Sequence, residues 1–331
     1  MLSENQISSF KENGYLIVKP NIIFDEKDIL ELKDLSQKNF FKYEEGESNF
    51  IKKNFNADQQ IINVNKIQYL KNGETCKDNL MTARRATLMG YNMKCGLSNF
   101  IENENLIKCA KKLLETNELS LHTSALIKVY PKCEGEPNKL HTDTPGFVLD
   151  PLSLVKKNKF VLNVLVYLND VTKDLAPMRV GTKTHNNYLN INDYLCKQKN
   201  VNNKSNLLHA SDIGIDEKII RELKFEIKSL EEKMGTVIFM SGNLLHAATA
   251  NNTNASRLHF NCNFSRREDK EIRKFNYSRM LDNDVDITKF YNNFKDKKIL
   301  ERSYINSNKN FLLERYYRIK YKLRKIINWK D

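Results

Sequence analysis

Apolar positions along this chain follow two rhythms, and the change comes near residue 119. Upstream the spacing is helical. Ser3 and Gln6 read as a capping box that opens a short helix. In DEKDILELKDLSQKNF, Ile29, Leu32 and Leu35 fall on one helical face, and NENLIKCAKKLLETN gives a second buried-face helix. Residues 41–95 between them read as loops and short strands, with Arg84-Arg85 as an exposed pair on a turn. The alternative for that pair is a clamp on an anionic substrate group.

From LHTSALIKVY onward the period is two. Thr123, Ala125, Ile127 and Val129 make an apolar face, and His122, Ser124, Leu126, Lys128 and Tyr130 a mixed one. GTVIFMSGNLL and RLHFNCNF are further β-rich runs. Residues 182–234 read as an insertion ending in one charged helix, DEKIIRELKFEIKSLEEK, placed to act as a lid. No repeat and no Pro/Gly linker divides the chain. The pattern predicts one mainly β domain with flanking helices (α+β), followed by a separate C-terminal helix.

Composition adds bounds rather than direction. A chain of 331 residues, 40% hydrophobic, suits a single barrel with added helices and a sizeable core. No apolar run approaches the roughly 20 residues that span a bilayer, and the N-terminus lacks a basic-then-apolar signal pattern. Cys76, Cys95, Cys109, Cys133, Cys196 and Cys262 show no CxxC pair or framework spacing, so reduced thiols in the cytoplasm are expected.

The net charge of +13 accompanies a chain rich in Lys, Asn and Ile, as biased coding would also produce. There is no basic-aromatic ladder, so no nucleic-acid partner is expected. Much of the charge sits in NFLLERYYRIKYKLRKIINWKD. There Leu312, Tyr316, Ile319, Leu323 and Ile326 share a helix face, and residues 309–330 carry eight basic side chains against one acidic, Glu314. Such a helix either docks its apolar stripe on the barrel or a second subunit, the favoured reading, or lies on an anionic membrane surface at the inner face of a membrane.

Candidate chemistry begins at HTDTPGF. At a strand end, residues i and i+2 share a face, so His141 and Asp143 can reach one metal ion while Thr142 points away. His246, from the next metal-bearing strand, completes two histidines and a carboxylate. That set leaves half of an octahedral iron(II) sphere open. Arg257 then opens a further strand and shares its face with His259. A guanidinium fork there can hold the distal carboxylate of a cosubstrate such as 2-oxoglutarate. His122 and His209 have no partner spacing and read as ordinary polar or core histidines.

Beyond the ligands, LSENQISSFKENGYLIVKPNII, FVLNVLVYLNDVT, LAPMRVGTKTHN and GTVIFMSGNLLHAATANNTNASR occur in the order of one family's segments. In these the chain resembles the phytanoyl-CoA dioxygenase-like branch of the iron(II)/2-oxoglutarate oxygenases. The resemblance covers roughly residues 1–20 and 120–265. It implies a double-stranded β-helix (a cupin-like jelly roll) with N-terminal helices and a C-terminal amphipathic helix. The oxygenase domain is then 1–308, with its barrel core at about 119–266 and the tail at 309–331.

The resemblance implies Fe(II) on His141, Asp143 and His246, 2-oxoglutarate paired with Arg257, O2 as oxidant, and hydroxylation of a small-molecule, acyl or sugar-type substrate with release of succinate and CO2. Halogenases of the superfamily carry a small residue where Asp143 stands. His185 matches a structural Ser-His position. Two departures stand out: Thr182-Lys183 replaces the family's Pro-Gly, so that loop is expected to turn differently, and Ala248 replaces a serine that helps hold the oxo-acid. Lys128, Tyr130, Asn163 and His259 are the candidates to supply that missing contact. Two other classes remain open: a cupin-like metal-dependent isomerase, with no need of Arg257, and a non-catalytic barrel binding protein.

Overall fold

A computed structural model describes residues 2–45, 55–63, 66–71, 82–90, 96–133, 139–143, 159–191 and 215–269, together with the single residues 47, 157 and 194. The tail at 309–331, His209 and the middle of the expected insertion lie outside the described residues.

The helices form where the apolar spacing placed them. Ser3 and Gln6 make the capping box of α1 (Glu4–Asn13), which ends at Gly14 in the left-handed region, φ 83°. Helix α2 (Glu26–Glu44) starts at Asp25, whose side chain accepts from the Asp28 amide, and buries Ile29, Leu32, Phe40 and Tyr43. A short α3 (Ser98–Ile101) precedes α4 (Glu104–Leu114), capped by Asn103.

The strands are β1 (Tyr15–Val18), β2 (Phe55–Asn63), β3 (Lys66–Lys71), β4 (Thr82–Gly90), β5 (Leu119–Val129), β6 (Lys139–Leu140), β7 (Leu162–Tyr167), β8 (Met178–Gly181), β9 (Ile215–Asp216), β10 (Ile227–Leu230), β11 (Val237–Ser241), β12 (His246–Ala248) and β13 (Arg257–Arg266). Eight of them make the major sheet, in the order β1-β11-β7-β13-β5-β4-β2-β3. The opposing sheet has two parts, β10-β8-β12 and β6-β9, and an antiparallel bridge between His141 and His246 joins them. Among the described residues all strand pairings are antiparallel, and the two sheets form a jelly roll.

Both faces of the major sheet are covered. Leu126, Val164, Val166, Phe260 and Phe264 pack outward against residues of α1, α2 and α4. On the other face, Tyr15, Leu165, Tyr167, Ile238 and Met240 meet Val180 and Leu230 of the opposing sheet and Leu244 of the turn between β11 and β12. Beyond the opposing sheet, Leu140, Leu245 and Ala247 pack with Tyr188, Ile215 and Ile220.

Two sequence expectations need correction. The charged segment 216–233 is not one helix: helix α5 (Glu217–Glu222) ends in a turn at Lys224, φ 63°, and β10 then pairs with β8 as an edge strand. Ile220 is fully buried, and Phe225 and Ile227 pack beside it, so the segment is barrel wall rather than lid. Arg84-Arg85 is not on a turn. It lies within β4, where Arg85 pairs with Val129 at the centre of the major sheet. A continuous strand carries the pair because β4 adds to the edge of β5 and buries Ala86 and Leu88 on its outer face.

The turn at Thr182-Lys183 adjoins α1. Lys183 adopts φ 65°, a left-handed conformation that glycine takes without strain. Its amide donates to the Asn13 carbonyl at 3.0 Å. His185 and Asn186 both contact the Lys11 carbonyl, at 3.0 and 3.2 Å. His185 thus ties the minor sheet to the end of α1, which is the supporting role its position suggested.

Candidate metal centre

The bridge between His141 and His246 builds the site. The two residues exchange backbone hydrogen bonds, His141 N to His246 O at 3.0 Å and His246 N to His141 O at 2.9 Å. Their rings therefore stand side by side, with centroids 4.6 Å apart. Two residues on, the Asp143 amide donates to the Gly242 carbonyl at 2.9 Å, which returns the carboxylate to the same side. Asp143 Oδ2 is 3.2 Å from His246 Nε2, and Oδ1 is 3.6 Å from His141 Nε2. One ligand atom from each of the three residues lies within 4.8 Å of the others.

The donor set fits an iron(II) ion. His246 Nδ1 is 3.0 Å from the Leu244 carbonyl. A carbonyl can only accept, so the proton is on Nδ1 and the Nε2 lone pair faces Asp143 and His141. Burial pushes the Asp143 carboxyl up, but the adjoining His246 and His141 rings and the hydrogen bond from Asn163 outweigh it. The group is held well below the usual carboxylate range, so it is ionised as a ligand must be.

Arg257 and His259 lie on the interior face of β13. They pair with Val129 and Ile127 of β5, and His259 also opposes Tyr167 of β7. Arg257 is buried at 1% exposure, with Nη1 donating to the Ala176 carbonyl. The loop leading to it is tied by Asn251, whose Nδ2 donates to the Tyr130 and Ala255 carbonyls at 2.8 and 2.7 Å. His259 is held well below its ordinary value by burial and by the charges of Arg257 and Arg85, so it is neutral. Arg85 is level with Arg257 across three strands, through Val129. Its Nε is buried with no hydrogen-bond partner.

The other cosubstrate candidates divide. Lys128 opposes Leu258 and Ala86 on the outer face, where its Nζ reaches Glu44 of α2 at 2.5 Å. Tyr130 packs against the helix-covered core, and the Lys128 amine lies over its ring. Neither points into the barrel. The alternation of β5 places even-numbered residues outward at this end, so the reading that offered them as site contacts is corrected. Asn163 does face the interior, but its Nδ2 donates to Asp143 Oδ2 at 2.6 Å, which makes it a neighbour of the metal ligand. Ala248 is buried opposite Met178.

A family model described as phytanoyl-CoA dioxygenase (PhyH) matches residues 10–258, a span that includes all three candidate ligands and Arg257. This chain belongs to the phytanoyl-CoA dioxygenase family. With it, the chain is an iron- and 2-oxoglutarate-dependent oxygenase, and the His-Asp-His set is the place where its iron can bind.

Similar solved structures share the fold at low identity. EctD from S. alaskensis with bound Fe has a TM-score of 0.54 and 17% identity over 80% of this chain and 77% of its own. The epimerase SnoN, in complex with Fe3+, alpha ketoglutarate and nogalamycin RO, scores 0.53 at 12% identity over 80% and 83%. The non-heme alpha ketoglutarate dependent carbocyclase SnoK from nogalamycin biosynthesis scores 0.52 at 14% identity over 80% and 84%. No curated protein matches the chain by sequence. Among the described residues, no helix of this family member is long and apolar enough to cross a membrane.

Proposed function

We propose that the chain hydroxylates an unactivated C–H bond of a small molecule, with 2-oxoglutarate and O2 as cosubstrates and succinate and CO2 as coproducts. The carrying observation is the convergence of His141, His246 and Asp143, each with one ligand atom within 4.8 Å of the others. Asp143 fills the position that halogenases of the superfamily leave free with a small residue, which favours hydroxylation. Iron(II) at this set would supply the activation of O2, one oxygen atom entering succinate as CO2 leaves and the other entering the substrate as hydroxyl.

The chain's own residues supply position and a dry environment. Arg257 holds the distal carboxylate of the oxo-acid from the interior face of β13. Arg85, level with it, adds a second positive charge there and takes over the supporting role first offered to Lys128 and Tyr130. Neutral His259, two residues along β13 from Arg257, adds no charge to the pair. Tyr167, Ile238 and Met240 line the barrel beside them and exclude water.

The test is succinate formation. The purified chain should convert 2-oxoglutarate slowly without substrate, dependent on iron(II) and O2, and screening a metabolite panel should accelerate it and yield a hydroxylated product. Equal activity with zinc in place of iron would rule out the redox mechanism. A ring-closed or epimerised product would replace hydroxylation with another outcome at the same centre. Arg257→Ala should weaken 2-oxoglutarate by ~2–5 kcal/mol, as for a truncated buried pair, while iron binding persists.

A further inference from the structure

The interior face of the major sheet carries a row of three polar side chains at one level. Thr123 on β5 pairs with Asn263 on β13, and Asn263 pairs with Asn163 on β7. Asn163 and Asn263 are buried at 2% and 4% exposure. Their side chains are bonded in series. Thr123 Oγ1 donates to Asn263 Oδ1, Asn263 Nδ2 donates to Asn163 Oδ1 at 2.5 Å, and Asn163 Nδ2 donates to Asp143 Oδ2 at 2.6 Å.

The direction of this series follows from its end. An ionised carboxylate can only accept, so Asn163 must present its NH2 to Asp143. Its carbonyl oxygen then faces Asn263 and needs a donor. Asn263 gives its own NH2, and its oxygen is satisfied by the one group at the far end able to donate, the Thr123 hydroxyl. Reversing Asn163 would set like groups against each other at both of its contacts, and reversing Asn263 would set its oxygen against that of Asn163. The polarity of all three side chains is thus set by the one carboxylate, and the carboxylate is held by all three.

We propose that Thr123, Asn263 and Asn163 form a one-way hydrogen-bond relay that positions Asp143 as a metal ligand, with Asn163 in contact and the other two acting through it. This rests on the reading that His141, Asp143 and His246 hold iron. The relay fixes which way the carboxylate plane turns. The oxygen that accepts from Asn163 is the one beside His246, while the other faces His141. A β-bulge adjoins the relay: the register between β13 and β5 shifts between Asn263 and Phe264, immediately beyond the Thr123 pair. Bulges re-aim side chains next to functional sites. These are positioning residues. None of them is expected to touch the substrate.

The experiment is anaerobic iron(II) titration calorimetry on the full chain, with circular dichroism to confirm folding. Asn163→Leu, which keeps the volume and removes the donor, should weaken iron by about 10- to 100-fold, the usual cost of losing a partner of a metal ligand. Asn263→Leu and Thr123→Val should weaken it progressively less, although neither touches a ligand. The Asn163→Leu/Asn263→Leu double variant should bind no worse than Asn163→Leu alone, because both act through one contact.

A purely structural role predicts the reverse: lower melting temperatures with unchanged iron affinity. Folded Asn263→Leu and Thr123→Val variants that bind iron like the wild type would overturn the relay, as would fully additive losses in the double variant. Thr123→Val exchanges a hydroxyl for a methyl, so it keeps the test available if a leucine variant fails to fold. A wild-type chain that binds no iron would instead overturn the underlying ligand assignment, and the relay with it.

Discussion

The two faces of β5, β7 and β13 are equally buried and do opposite work. Outward, Leu126, Val164, Phe260 and Phe264 meet the helices in an apolar layer. Inward, the same strands present Thr123, Asn163, Asn263, His259 and Arg257 among apolar neighbours. Burial therefore does not separate function from stability in this barrel. The partners of the polar atoms do: on the inner face Thr123, Asn263 and Asn163 form a series ending on a carboxylate. The outer face instead keeps polar contacts to its margin, where Lys128 reaches Glu44 of α2, and beside the bulge His122 joins Ser265 at 2.7 Å.

The sharpest way to break that comparison is to exchange the consequences of substitution on its two sides. Asp143→Ala or His246→Ala should reduce succinate formation to background while the melting temperature moves little, since ligands at a strand end contribute modest apolar burial. Phe260→Ala on the outer face should do the opposite. Truncating a fully buried phenylalanine costs about 3–5 kcal/mol, and the folded fraction should retain the turnover of the wild type. Chemical denaturation and a succinate assay on the same samples decide. A Phe260→Ala enzyme of full stability, or an active Asp143→Ala one, would mean that the division of labour is drawn along the wrong face.

Much of this was legible in residue order alone. His141, Asp143, His246 and Arg257 carry spacing, strand context and chain order together, and the structure brings the first three within 4.8 Å. The helices were legible because Ile29 and Leu32 keep a helical period with a capping residue ahead of them. Three things were not. The segment at 216–233 has helix-forming residues throughout, and the turn at Lys224 has no glycine or proline to announce it. Arg85 looks like a surface charge until β4 is known to pair with β5, a contact between residues over forty positions apart. The relay's signal was present as isolated asparagines in FVLNVLVYL and FNCNF, but their alignment is a matter of register, which one strand's pattern does not contain.

A smaller effect tests the buried sheet from the side of charge. Burial lowers His122 from 6.5 to about 4, so its neutral form is the one the fold accepts. Because the folded value lies below the unfolded one, its contribution is fully present above pH 6.5 and is lost as pH falls toward 4. The size of that loss is about 3 kcal/mol for a shift of this order. His259 on the inner face is lowered too and adds a parallel loss. His122→Gln should keep a polar partner for Ser265 and flatten part of the fall in stability between pH 6.5 and 4. Denaturation midpoints measured across that window check it, and an unchanged slope would show that His122 does not stay neutral in the fold.

The smallest effect belongs to a residue on neither face. Lys183 stands where the family has glycine and holds φ 65°, which costs a side-chain-bearing residue roughly 1–2 kcal/mol. Its backbone is kept there from both sides, by its own amide on the Asn13 carbonyl and by the Thr184 hydroxyl on the Gly181 carbonyl at 2.6 Å. The lysine side chain makes an exposed pair with Glu12 at 2.6 Å, an interaction that salt screens. Lys183→Gly removes the backbone strain and the pair together, while the greater freedom of glycine in the unfolded chain offsets part of the gain. In low salt the variant should therefore match the wild type closely, and in high salt it should be the more stable by up to about 1 kcal/mol. Turnover should not change at either ionic strength, because this turn joins α1 to the minor sheet without reaching the ligands. Denaturation at two salt concentrations measures the difference. A variant less stable than wild type in high salt would show that the lysine, and not the turn, holds this end of the barrel to α1.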